Sequence, residues 1–145
     1  MGQTVTLVKQ GGNPTFASLA VNGSTNFSST TELITLKNGL GAGTNTFDYA
    51  NSAIFYLSGS TSNSTFNIIN VPVTSPTATS LTFLIEQGAT PYSASAYQIN
   101  SSAVTVKWVN SLTPIGTANK TDVIGITAFR SGSAWNVLGS LNTFG

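Results

Sequence analysis

Thr121-Asp122-Val123-Ile124-Gly125-Ile126-Thr127-Ala128-Phe129-Arg130-Ser131-Gly132-Ser133-Ala134-Trp135-Asn136-Val137-Leu138-Gly139-Ser140-Leu141 is the stretch that decides the fold class. In an extended chain successive side chains point to opposite faces. Ile124, Ile126 and Ala128 therefore share one face, between Asp122 and Arg130, so that face is apolar in its middle and charged at its ends. After the break, Trp135, Val137 and Leu141 alternate with Asn136 and Ser140. Between the two runs, Arg130-Ser131-Gly132-Ser133 has the composition of a short hairpin turn. A period of two on both sides of a turn predicts paired strands, not helices.

The same period extends upstream. Leu81, Phe83 and Ile85 share a face opposite Thr82 and Glu86, and Val104, Val106 and Trp108 share one opposite Thr105 and Lys107. Asn100-Ser101-Ser102 reads as a turn between Tyr97–Ile99 and Val104–Val109. Pro72, Pro76, Pro91 and Pro114 fall in or beside Ser/Thr-rich loops, where a missing N–H costs little. Strong helix formers are sparse, while Thr, Val, Ile, Phe and Tyr suit a pleated, half-buried surface. Strands recurring every ~8–12 residues predict an all-β protein, an antiparallel β-sandwich of jelly-roll type. That domain is expected over residues 51–145, with 1–50 as an extended β segment for attachment or oligomerisation. Phe16, Leu19, Val21, Phe27, Leu33, Ile34 and Leu36 make the first part too apolar for a disordered tail and too thin to fill a core alone.

Composition removes many chemistries. The 145 residues contain no Cys and no His, so zinc fingers, haem-ligating His, Cys proteases and Ser–His–Asp triads cannot be built. Five basic and four acidic residues give a net charge of +1, which offers no electrostatic footprint for nucleic acid or an anionic membrane. The longest unbroken apolar run, Ala53–Leu57, is five residues, far short of the ~18 of a membrane span. Met1 to Lys9 lacks a basic stretch followed by an apolar one, so no signal peptide is expected. Gly2 and Thr6 fit the minimal myristoylation pattern, but no second anchoring signal accompanies them.

The chemistry-bearing residues each have a plainer reading. Gly39-Leu40-Gly41-Ala42-Gly43 continues into Thr44-Asn45-Thr46-Phe47 with neither a helix nor a Lys, so a turn is expected in place of a phosphate cradle. Of the four acids, Glu32, Asp48, Glu86 and Asp122, the last two lie at strand ends near Gln87 and Lys120. A solvated charge or an ion pair is the expected outcome there, not a glycosidase pair. Lys120 beside Thr121 lacks the surroundings that would desolvate an amine for base chemistry. Asn22, Asn26, Asn63, Asn100 and Asn119 fit the glycosylation pattern, as so Asn- and Thr-rich a chain does by chance. Trp108 and Trp135 are expected in the core, and Tyr92 and Tyr97 on a loop where they could stack on a sugar. No catalytic residue, metal ligand or cofactor is assigned, and the chain is not expected to be an enzyme.

The surface is the most informative feature. Charged residues are 6% of the chain, against ~25% in an ordinary soluble domain. With 22 Thr, 19 Ser and 14 Asn, the exposed positions must be mostly hydroxyl and carboxamide groups. These desolvate far more cheaply than ions, so such a surface can be covered by another subunit. β edges with few guarding charges also favour association. A homo-oligomer is expected, most simply a trimer.

Thr65–Gly139 resembles a module of virion structural proteins of tailed phages, especially those of marine cyanobacteria. The resemblance is carried by Phe83-Leu84-Ile85-Glu86-Gln87-Gly88, Val106-Lys107-Trp108, the Pro114…Gly116…Asn119-Lys120-Thr121-Asp122-Val123 loop and Trp135…Leu138-Gly139. Leu19-Ala20-Val21-Asn22-Gly23-Ser24 is similar to short β segments of phage fibres. The resemblance implies a mechanical role on the virion as a capsid decoration, cement or fibre-type subunit, with capsid or tail proteins as partners and no catalytic residues. The alternative expectation is a carbohydrate-binding module that recognises host-surface glycans through Tyr92 and Tyr97.

Overall fold

The computed structural model describes Ser24 and residues 30–145. Ten strands follow one another: β1 (Ile34–Asn38), β2 (Thr44–Asp48), β3 (Ile54–Ser58), β4 (Ser64–Ile69), β5 (Ala78–Glu86), β6 (Ala94–Ile99), β7 (Ser102–Val104), β8 (Val106–Trp108), β9 (Thr121–Ser131) and β10 (Ala134–Phe144). They form a six-stranded sheet in the order β1-β3-β5-β9-β10-β8 and a four-stranded sheet in the order β2-β4-β6-β7. The only helical element among the described residues is a 3-10 turn at Val109–Ser111.

The all-β class is as expected, but the sheets are mixed where an antiparallel jelly-roll order was expected. From β1 to β6 the chain crosses from one sheet to the other at every connection, and neighbouring strands of each sheet in this part run the same way. β1, β3 and β5 pair in parallel, as do β2, β4 and β6. Antiparallel pairing joins β5 to β9, β9 to β10 and β6 to β7, and β10 to β8 is again parallel. A period-two pattern states which face a residue occupies and carries no information on strand direction.

The two long strands of the opening stretch form the expected hairpin, with Ser131 opposite Ala134 and Gly132-Ser133 between them. Gly132 has φ of +68°, the positive value that a type II′ turn needs at its first central position. Asn100 and Ser101, with φ of 49° and 65°, make the two-residue turn between β6 and β7. Val104–Val109 is not one strand as expected. The chain breaks at Thr105, leaving β7 in the smaller sheet and β8 in the larger.

The core lies between the sheets. Phe55, Leu57, Leu81, Phe83, Ile85, Ile124, Ile126, Ala128 and Val137 project from the larger sheet onto Phe47, Phe66, Ile68, Tyr97 and Ile99 of the smaller. Phe47 lies edge-on to Phe55 at 5.2 Å and to Phe83 at 4.9 Å, and Phe66 meets Phe83 at 5.0 Å. Burying each phenylalanine contributes about 1.5–3 kcal/mol, and favourable ring geometry adds about 0.5–1.5 kcal/mol per pair. Trp108 and Trp135 pack against this core, partly buried.

Residues 31–145 form one compact unit. The sheets take in β1 and β2, on the N-terminal side of the boundary expected at residue 50. Leu40, within the glycine-rich turn, and Phe47 are core residues. Residues 1–23 and 25–29, including the fibre-like Leu19–Ser24 stretch up to Gly23 and most of the expected attachment segment, lie outside the described residues.

Candidate functional site

Strand register decides where the acids go. Ile85 is opposite Asp122, and Glu86 opposite Thr121, on β5 and β9. Asp122 shares the inward parity of Ile124, and Glu86 the outward parity of Leu84, so the two carboxylates leave opposite faces of the sheet. Asp122 is fully buried, not solvated or ion-paired as expected. Its Oδ2 accepts hydrogen bonds from Gln87 Nε2 at 2.9 Å and the Thr117 backbone N–H at 2.9 Å. Its Oδ1 accepts from the Thr143 hydroxyl at 2.8 Å. Donors on three segments satisfy the carboxylate and make it a clamp, since a buried charge left unmatched is prohibitively costly.

Gln87 extends the clamp. Its Oε1 accepts from the Tyr92 backbone N–H at 2.9 Å, and its Nε2 also donates to the Tyr92 carbonyl at 2.8 Å. These contacts fix the turn from β5 to β6 through main-chain groups and leave no free amide for a ligand. No local pattern around Gln87 announces this role. Glu86, on the outer face, accepts a hydrogen bond from the Tyr56 hydroxyl. That bond, with desolvation and then the charge of the carboxylate adding to it, raises the Tyr56 hydroxyl above its ordinary 10.0. A depression of about 270 Å³ lies beside Glu86, lined also by Gly59, Ser60, Gln87 and Gly88.

The other candidates are local structure. Asp48 holds the turn after β2, accepting from the Ala50 N–H at 3.0 Å and from Asn70 Nδ2 at 2.8 Å. Lys120 Nζ donates to the Gly145 carbonyl. Asn100 brackets Val71, accepting from its N–H at 3.1 Å and donating to its carbonyl at 2.9 Å. Tyr97 does not face outward as expected. It is 7% exposed, packs on Phe66 and Trp108 at 5.8 Å each, and burial pushes its hydroxyl well above the ordinary value. Its alternation with Ile99 was the available signal. Tyr92 is half-buried in a crevice with no room for a water-sized molecule.

What remains outward is broad and almost uncharged. Register assigns the outer face of the larger sheet its rows: Ile34, Ile54, Thr82, Gly125 and Ser140 in one, and Leu36, Tyr56, Leu84, Val123 and Asn142 in the next. Ser80, Thr127, Leu138 and Lys107 make a third. Among the described residues the strands of this face present two charges, Glu86 and Lys107. Ile34, Leu36 and Leu138 on it are 49%, 74% and 46% exposed. Thr46, Asn67 and Gln98 share the outward parity of the smaller sheet, where Thr46 is exposed and Gln98 half-buried, while Asn67 is buried and bonded to Ser101. One sheet thus offers aliphatic and hydroxyl groups, the other hydroxyl and carboxamide groups. Covering the larger sheet's face would bury few charges, Glu86 and Lys107 among the described residues.

Among the described residues no cluster of acids is placed to hold a metal ion, and no helix is long and apolar enough to cross a membrane. Compared with family models, curated proteins and solved structures, the chain matches none of them.

Proposed function

We propose that this chain is a bacteriophage virion structural protein, a small oligomeric subunit, most simply a trimer, that decorates or cements a capsid or forms part of a fibre. It acts by binding copies of itself and other virion components at the particle surface, without a chemical step or cofactor. The observation that carries the proposal is the outer face of the larger sheet, with its exposed aliphatic side chains and its two charges. Monomeric soluble proteins rarely expose contiguous apolar surface of this kind unless a partner covers it.

The residues that carry the likeness to tailed-phage modules have framework roles here. Phe83 and Ile85 fill the core, Gln87 and Asp122 clamp three segments, and Trp108 packs beside Gly139. That division of labour supports a module whose motifs specify shape. Particles assembled with and without the protein test the proposal. A decoration subunit is present in high copy and raises the heat tolerance of the particle. A fibre subunit is present in low copy and changes host adsorption. Particles unchanged in both respects, with the protein absent from purified virions, contradict the proposal.

A second reading, recognition of a host glycan, is favoured by one feature, the depression lined by Gly59, Ser60, Glu86 and Gly88. It moves the sugar site away from Tyr92 and Tyr97. Binding on a glycan array that is lost in Glu86→Gln would support it.

A further inference from the structure

One edge of the larger sheet protrudes with apolar side chains, and a groove lies farther across the same outer face. β1, at one edge, presents Ile34 and Leu36 outward, with Leu33 before them 76% exposed and Glu32 exposed beside it. Toward the other edge, Gly125 leaves a gap in the outer face, since it has no side chain between Thr82 and Ser140. Val109 on the 3-10 turn and Leu138 wall the gap, making a groove of about 310 Å³. Ser80, Thr82, Thr127 and Ser140 also line this open groove, and its volume gives room for two aliphatic side chains over a partly hydroxylated floor. Asn110 and Ser111, in the turn beside it, both take positive φ, 57° and 58°. Consecutive non-glycine residues in that region are costly and persist where the surroundings require them.

Within one chain the two features cannot meet. Three strand spacings separate β1 from Gly125 on β9, about 14 Å, and both features leave the same face of one sheet. We propose that copies of this chain join head to tail, with Ile34 and Leu36 of one copy seated in the Gly125 groove of the next. This rests on the assembly reading above and names the surfaces it uses.

Charge points to a second copy as the occupant. Glu32 lies beside the protruding edge, and Lys107 lies beside the groove, opposite Leu138 in register. Seating one edge in the next groove brings an acid toward a base. The rest of the face carries only Glu86, so a strongly charged foreign partner would find few complements there. A contact between two different patches of the same chain is heterologous, and it closes into a ring when the rotation permits, a trimer being the simplest outcome consistent with the proposal.

Sedimentation velocity on the full chain, with circular dichroism to confirm folding, tests this. Leu36→Asp disables the protruding edge and Gly125→Leu fills the groove. A Cβ at Gly125 meets nothing nearer than Ser140 Oγ at 3.4 Å, so the strand should accept a side chain. Each variant alone should raise the dissociation constant at least about 30-fold and sediment as a monomer, as expected for loss of a central anchor. Leu138→Asp is a second groove variant, should Gly125→Leu fail to fold. An equimolar mixture of an edge variant and a groove variant should form a one-to-one pair and nothing larger, because one intact edge and one intact groove remain. Oligomers that persist in both single variants, or a mixture that stays monomeric, overturn the head-to-tail contact while the assembly reading stands. A wild-type chain that is itself monomeric at micromolar concentration overturns both.

Discussion

Trp108 closes over Gly139, and the fit depends on the missing side chain. A Cβ at residue 139 would lie 2.5 Å from Trp108 Cζ3 and 2.7 Å from Val106 Cγ1. Gly139 belongs to β10 and Trp108 to β8, its parallel neighbour in register. The close approach lets the short edge strand β8 cover the end of the core, where the ring also meets Tyr97 at 5.8 Å. Gly139→Ala should displace the indole and destabilise the protein by about 1–3 kcal/mol, the cost of overpacking, despite the better strand propensity of alanine. Chemical denaturation followed by Trp fluorescence checks it. An unchanged midpoint would show that β8 is free to move aside.

Asp122 should behave as an acceptor set, not as a required charge. Asp122→Ala leaves the Gln87 amide and the Thr117 N–H without their partner and should cost about 2–4 kcal/mol. Asp122→Asn should stay within about 1 kcal/mol of wild type. Its oxygen can serve those two donors, and the Thr143 hydroxyl can turn from donor to acceptor. Urea titration of both variants checks this; equal losses would contradict it.

Burial raises the Tyr97 hydroxyl above its ordinary 10.0. Between the unfolded and folded values the native state holds a proton that the unfolded chain has released, so stability falls as pH rises there. The contribution is whole below pH 10 and is lost progressively above it, by up to about 1.4 kcal/mol per pH unit. Tyr97→Phe should match wild type near neutrality and flatten the alkaline loss. Thermal melts from pH 8 to 12 measure the difference.

Phe83 touches Phe47, Phe55 and Phe66, linking the two sheets through one ring. Phe83→Ala should cost about 3–5 kcal/mol, against less than about 1 kcal/mol for Thr82→Ala on the outer face of the same strand. Calorimetry of the two variants separates core packing from surface strand propensity.

Much of this was legible from side-chain alternation. Thr121–Leu141 gave two strands and a turn, Leu81, Phe83 and Ile85 lie in the core, and both tryptophans pack where alternation put them. Strand direction was not legible, because the parallel winding of β1 to β6 depends on which sheet each connection reaches. β1 alternates Ile34 and Leu36 with Thr35 and Lys37, yet its apolar residues face outward and its Lys turns in, 5.1 Å from the Phe47 ring. Local pattern says nothing of that inversion. The Asp122 clamp joins residues distant in sequence, and its charge at a strand end looked like a surface feature. The groove at Gly125 exists only because register sets a glycine between two polar neighbours on adjacent strands.

The central claim is that an exterior so poor in charge is there to be covered by further copies. Sedimentation velocity of the wild-type chain across micromolar concentrations, at about 0.1 M and 1 M salt, tests it most directly. The account predicts a stable oligomer that persists at the higher salt, because apolar and hydroxyl contacts dominate the joint. A chain that stays monomeric at every concentration, in either salt, would contradict it.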